Sequence, residues 1–248
     1  MKTKYDNVQT KPIRTQLALL ASLSMFVLAP MAQANFIATL EVTGNWSAGS
    51  TWNGGVVPGA SDNVLGQRNC TVAYGSSDNY TVLGVYWGHS TGSTKNSILN
   101  MSGGTLTSTG DFNVGESAGG TLNQTGGTIN AASGKIGNYY SQGNSALTWN
   151  LTGPGAVAIT GNFRIGYNQG QSSGRAGNCT FTQSGSGSSV SVGGNLTIGT
   201  TDNNASAIGR SYVYNLSDGT LAVAGTVQFD PLGTRQFNFT GGTLSFGT

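Results

Sequence analysis

After Ala34 the chain carries eight acids: Glu41, Asp62, Asp78, Asp111, Glu116, Asp202, Asp218 and Asp230. It also carries one histidine, His89, and two cysteines, Cys70 and Cys179. Acid–base work on a saccharide needs two carboxyl groups about 5 to 9.5 Å apart, or acids holding Ca²⁺ beside a basic residue. Asp111 and Glu116 are the nearest pair of interest, flanking the short apolar run Phe112 to Val114. Asp111 reads as a turn residue and Glu116 as a solvated loop tip, because Asn, Asp and Ser dominate turns through local hydrogen bonds. His89 follows Tyr86 and Trp87 in VYWGHSTGSTKN with no acid or cysteine beside it, which argues against a metal ligand or catalytic base. Cys70 and Cys179 sit in matching NCTV and NCTF contexts. The calcium-binding nonapeptide G-G-x-G-x-D is absent, and no glycine loop meets a strand-to-helix junction where a phosphate would sit. Neither a catalytic residue, a cofactor nor a metal is expected.

The segment from Met1 to Ala34 has a separate character. Lys2, Lys4, Lys11 and Arg14 precede the apolar run Leu17 to Ala29, and PMAQA follows with small residues at Ala32 and Ala34. This is the pattern of a secretory signal peptide, too short for a membrane span of about 20 residues. No later apolar stretch is long enough to span. Of the 11 basic and 9 acidic residues, 4 and 1 fall in this leader, leaving 7 and 8 and a net charge of −1. The remaining Arg and Lys are scattered singly, which excludes a nucleic-acid face, since phosphate binding needs clustered cations.

The elements that must position the remaining side chains follow from the glycines. The chain has 40, yet nine Tyr, nine Phe and four Trp accompany them, which is the wrong texture for disorder. LNMSGGTLTSTGDFNVG, TLNQTGGTINAASGKIG, YNLSDGTLAVAGTVQFD and FNFTGGTLSF place glycines on a schedule. Aligned on these, an apolar residue precedes the turn at Leu99, Leu122, Trp149, Phe181, Tyr214 and Phe237. Two positions later stands Met101, Gln124, Leu151, Gln183, Leu216 or Phe239. A second short strand and a second glycine corner follow, at Gly110, Gly134, Gly161, Gly194 and Gly225, then a third apolar pair such as Phe163 and Ile165. Period-2 alternation and the lack of a helical apolar stripe exclude helices. A strand-only repeat of about 22 to 33 residues implies a solenoid. Both sets of corner glycines are expected to supply positive φ. Asp111, Asn162, Asn195 and Thr226 follow the second corner as a polar ladder. Cysteines on equivalent sites of different coils stand well over 10 Å apart at about 4.8 Å per coil, so two buried free thiols are expected.

The repeat varies in length at one place. The steps Gly115 to Leu122, Gly137 to Trp149, Gly166 to Phe181, Gly199 to Tyr214 and Asp230 to Phe237 are 7, 12, 15, 15 and 7 residues. Insertions at one corner project from one side, which in solenoids is often functional. Tyr139, Tyr140 and Tyr167 lie in or beside these loops and are the candidate ligand-facing residues, with rings able to stack on sugars.

The segment GNWSAGSTWNGGVVPGASDNV (Gly44 to Val64) resembles the opening of many secreted bacterial β-helix proteins. GGTL, FTQSGSGSSVSVGGNLTIG and LSDGTLAVAGTVQF resemble passenger repeats of autotransporters and repeats of PEP-CTERM-sorted exported proteins of Gram-negative bacteria. The resemblance spans residues 44–248. It implies a right-handed parallel β-helix, and with the repeat spacing the expected fold is all-β, about eight coils with three short strands each. It also implies secretion or display at the outer cell surface, with a structural or adhesive role and glycans or other surface proteins as partners. The expected division is a signal peptide over 1–34, an N-terminal cap over 35–66 and β-helix repeats over 67–248. No C-terminal β-barrel or sorting motif accompanies the repeats. The alternative reading is a carbohydrate-active β-helix enzyme, a polysaccharide lyase or glycosidase. FNFTGGTLSFGT leaves Phe237, Phe239, Leu244 and Phe246 uncovered, so either end-to-end association or further sequence is expected there.

Overall fold

The computed structural model describes residues 35–89, 96–137, 146–166, 177–201 and 209–247. Its strands join into one sheet of parallel neighbours, each pairing with the equivalent segment one coil on. The chain is a parallel β-solenoid. The opening strands are β1 (Asn35–Ala38), β2 (Thr43–Asn45) and β3 (Asp62–Gly66), with a short 3-10 turn at Gly49–Thr51. The first full coil is β4 (Thr71–Tyr74), β5 (Asn79–Val82) and β6 (Gly84–Trp87). In the next two coils hydrogen bonding continues round the corners, so each coil is one long element, β7 (Asn96–Val114) and β8 (Gly119–Ile136). Three-strand coils resume with β9 (Ala146–Leu151), β10 (Ala156–Ile159) and β11 (Phe163–Ile165). The next is β12 (Asn178–Gln183), β13 (Ser189–Val192) and β14 (Leu196–Ile198). The set ends with β15 (Ser211–Leu216), β16 (Thr220–Val223), β17 (Val227–Phe229), β18 (Thr234–Phe239) and β19 (Thr243–Phe246). Six complete coils are thus described, with partial ones at both ends.

Register follows the sequence alignment. Leu99, Leu122, Trp149, Phe181, Tyr214 and Phe237 are successive partners in one inward column. From Trp149 onward the column is an aromatic stack, with centroids 5.3 Å apart for Trp149 and Phe181, 4.8 Å for Phe181 and Tyr214, and 5.2 Å for Tyr214 and Phe237. Fully burying each such side chain stabilises by roughly 1.5–3 kcal/mol. In the third-strand column Phe112, Gly134 and Phe163 are successive partners. Gly134 stands where its neighbours carry rings: a Cβ there would lie 2.8 Å from the Phe163 ring. Cys70 precedes the Thr71–Ile98 pair, and Ser97, Gly120, Leu147 and Cys179 continue its column. The two cysteines are therefore four coils apart, and both are buried free thiols.

Two expectations need correction, and the core holds one polar feature besides. Among the turn glycines, Gly104, Gly127, Gly219 and Gly242 of the first corner do have positive φ. The second-corner glycines do not, and the requirement there is close stacking. A Cβ on Gly110 would meet the Leu83 carbonyl at 2.8 Å, and one on Gly161 the Ala132 carbonyl at 2.7 Å. The inward positions of Gln124 and Gln183 are polar inside the core, and both side chains are fully buried. Gln124 Nε2 donates to the carbonyls of Ala156 (3.0 Å) and Gly127 (3.2 Å), and Trp149 Nε1 donates to its Oε1 at 3.2 Å. Glu116, expected in solvent, is half-buried and accepts a bond from Asn113 Nδ2 at 3.2 Å.

Residues 35–66 already run with the coils: β1 pairs with β3, β3 with β6 and β2 with β4. Trp46 closes this end of the core. Its ring lies 4.9 Å from Trp52, 5.3 Å from Tyr74 and 6.4 Å from Trp87, and its carbonyl accepts the Trp52 indole N–H at 2.7 Å. At the other described end Phe229, Phe239 and Phe246 are each about half exposed.

Candidate functional site

The third corner, where the repeat lengthens, is bounded by described residues on both sides. Gly137, Gly166 and Gly199 end the third strands of successive coils with positive φ, which frees the chain to leave the coil in a direction closed to other residues. Tyr139, Tyr140 and Tyr167 lie outside the described residues. The loops re-enter at β9, β12 and β15, whose ladder is unbroken, so the longer connections are absorbed without disturbing the coil.

Beside that corner, the outward row of the third strands is Tyr86, Asn113, Lys135, Arg164, Thr197 and Gln228. Two ion pairs lie along this row. Lys135 Nζ lies 2.7 Å from Asp111 Oδ2, and the Ser133 hydroxyl donates to the same carboxylate. Burial pushes the Asp111 carboxyl up, but these hydrogen bonds and the Lys135 charge outweigh it and hold it below its ordinary value. Arg164 reaches across the coil of Thr197 to Asp230 at 2.5 Å, and Thr197, in the same row, is buried. Burial, then the charges of Asp111 and Glu116, push the Tyr86 phenol up. Asp111 and Glu116 thus share an electrostatic neighbourhood, but each is tied to a different neighbour, Asp111 to Lys135 and Ser133, Glu116 to Asn113. The sequence reading missed both ion pairs. The signal was available, because Lys135 and Arg164 occupy one column and their acids flank it.

The remaining described acids hold turns or edges. Asp62 accepts the Gly59 N–H at 2.8 Å, Asp78 the Gly75 N–H at 2.7 Å and Asp218 the Gly219 N–H at 2.7 Å. Asn69 Nδ2 donates to Glu41 at 3.4 Å. His89 pairs with Gln67 at 3.0 Å, and burial pulls its ring nitrogen below the ordinary histidine value. Among the described residues no cluster of three His, Cys, Asp or Glu could hold a metal ion.

The polar ladder at the second corner is built by side chains. Asn162 Oδ1 accepts the N–H of Asn195 at 2.8 Å, and Asn195 Oδ1 that of Thr226 at 3.0 Å. Next to it a concavity of about 610 Å³ crosses four coils, bounded by Ala158, Ser191, Ala222, Ser245 and Phe246 among others. Its lining has no titratable side chain. Comparison with family models, with curated proteins and with solved structures finds no match to this chain.

Proposed function

We propose that the chain is an exported, non-catalytic β-solenoid with a structural or adhesive role at the outer surface of a Gram-negative bacterium. The loops of the third corner are its binding face, and Tyr139, Tyr140 and Tyr167 its ligand-facing residues, for glycans or other surface proteins. The observation that carries this reading is the contrast between a constant ladder and one corner of variable length. A scaffold that fixes its strands and varies one edge is suited to presenting contacts. The acids beside that edge support it, since Asp111 and Asp230 are held in ion pairs.

The alternative, a carbohydrate-active enzyme, would draw on Asp111, Glu116 and Lys135. Incubation of the purified protein with acidic and neutral polysaccharides separates the two. The proposal expects retention of a glycan with no new reducing ends or unsaturated products, and weaker retention in Tyr139→Ala, Tyr140→Ala and Tyr167→Ala. Product formation abolished by Asp111→Asn or Glu116→Gln would overturn it.

A further inference from the structure

A different face carries an inference of its own. Along the first strand of each coil, alternate residues point away from the core. Three outward rows result, and the two nearer the first corner are rich in Thr and Asn. One is Thr71, Ile98, Thr121, Thr148, Thr180, Val213 and Gln236; the other is Ala73, Asn100, Asn123, Asn150, Thr182, Asn215 and Asn238. At these positions the pairing is parallel and residue for residue, so the rows repeat about every 4.8 Å across strands and about 6.6 Å along them. Neither row contains a charged or an aromatic side chain. Asn is a poor strand former, yet it fills five of the seven positions in its row.

These side chains are held before any partner arrives. Asn123 Nδ2 donates to Asn100 Oδ1 at 2.9 Å, Asn150 to Asn123 at 3.0 Å and Asn238 to Asn215 at 2.8 Å, while the Thr148 hydroxyl donates to that of Thr121 at 3.4 Å. An amide has two N–H donors and an oxygen with two lone pairs, so an asparagine inside the ladder retains one donor and one acceptor.

We propose that this face binds ice. A strand face in register meets its partner as a repeating, uncharged lattice, which excludes polyelectrolytes. A second copy is disfavoured by area: six steps of about 4.8 Å by two of about 6.6 Å give roughly 400 Å², about half of the roughly 800 Å² per partner of a stable interface. A glycan would find no ring to stack on. An extended β-1,4-linked glycan also turns successive sugars over, whereas the solenoid offers the same pair of groups in the same orientation at every coil. Ice is neutral, rigid and repeats without alternation, with an oxygen spacing along its a axis close to the coil rise. Each hydrogen bond exchanged for one to liquid water gains little, so binding rests on many positions engaging together and on groups that need no further ordering. This inference does not rest on the loops or on their partner.

The test is ice-crystal shaping and thermal hysteresis of the purified protein, with Thr148→Lys and Asn150→Lys in the centre of the face. Ser191→Lys, on the outward face of β13, is the control, and melting temperatures check the fold of each. The expected result is shaped crystals and a hysteresis gap for the unaltered protein and for Ser191→Lys, with loss of both in either central variant that melts normally. Unshaped growth in the unaltered protein, equal activity in a folded central variant, or retention on cellulose or chitin without any effect on ice would overturn it.

Discussion

Inside the core, the Tyr214 phenol donates a 2.8 Å hydrogen bond to Gln183 Oε1 one coil away, while Gln183 Nε2 donates to the Ser188 hydroxyl (3.2 Å) and the Thr220 carbonyl (3.0 Å). Gln183 and Tyr214 are both fully buried. Gln183→Leu would strand the phenol and the Thr220 carbonyl, at about 1–3 kcal/mol for each buried group left unmade. Tyr214→Phe alone removes one donor and leaves Gln183 Oε1 unpaired. Urea unfolding of the two single variants and the double should show the double less destabilised than the sum of the singles. An additive cycle would mean that the bond contributes nothing.

The inward column sets the sensitivity of the fold to charge. Leu122 is fully buried, so Leu122→Asp places an unpaired carboxylate in apolar surroundings and should abolish cooperative unfolding. Ser186 lies exposed at a first corner, and Ser186→Asp should shift stability by no more than about 0.5 kcal/mol. Circular dichroism melts on both variants check this contrast.

Two groups on or near the third strands should shape the acid limb of stability, with the same sign. Asp111 is held below its ordinary value when folded, so its contribution is complete above the unfolded carboxyl value and is lost as pH falls through the folded one. His89 is also held below its ordinary value of 6.5. The folded state favours the neutral ring, and stability falls as pH drops below that of the free histidine. Melting temperature against pH should therefore decline in two windows. His89→Gln should flatten the upper decline and Asp111→Asn the lower. A decline unchanged by either substitution would contradict the assignment.

At the described C-terminal end, half-exposed Phe239 and Phe246 lie on β18 and β19, which among the described residues pair only with the preceding coil. Open strand edges with apolar side chains recruit other chains. Light scattering on the purified protein should report association that grows with concentration, and Phe239→Ser with Phe246→Ser should reduce it. A monomer at all concentrations would show that this end is closed in solution.

Much of the fold was legible because every coil repeats one pattern. Leu99, Leu122, Trp149, Phe181, Tyr214 and Phe237 align by sequence spacing alone, and each is the cross-strand partner of the next. The functions of individual polar residues were harder to read, because they depend on neighbours in other coils, far away along the chain. Gln183 looks like an interruption of an apolar column until the Tyr214 phenol one coil on is seen to donate to it. Arg164 looks isolated until two coils of rise bring Asp230 within 2.5 Å. Gly161 looks like a positive-φ corner, whereas its constraint is the Ala132 carbonyl of the coil below. The site tyrosines carried no such repeat signal, since variable loops lack a column to align on.

Binding at the varied third corner is tested most directly by shortening that corner. The steps Gly137 to Trp149, Gly166 to Phe181 and Gly199 to Tyr214, which are 12, 15 and 15 residues, would each be cut to the 7 residues of the Gly115 to Leu122 step. Binding of the trimmed and unaltered proteins to a glycan array and to whole Gram-negative cells would then be compared beside their melting curves. The result expected is an unchanged melt with binding abolished; retention of full binding by the trimmed protein would contradict the claim.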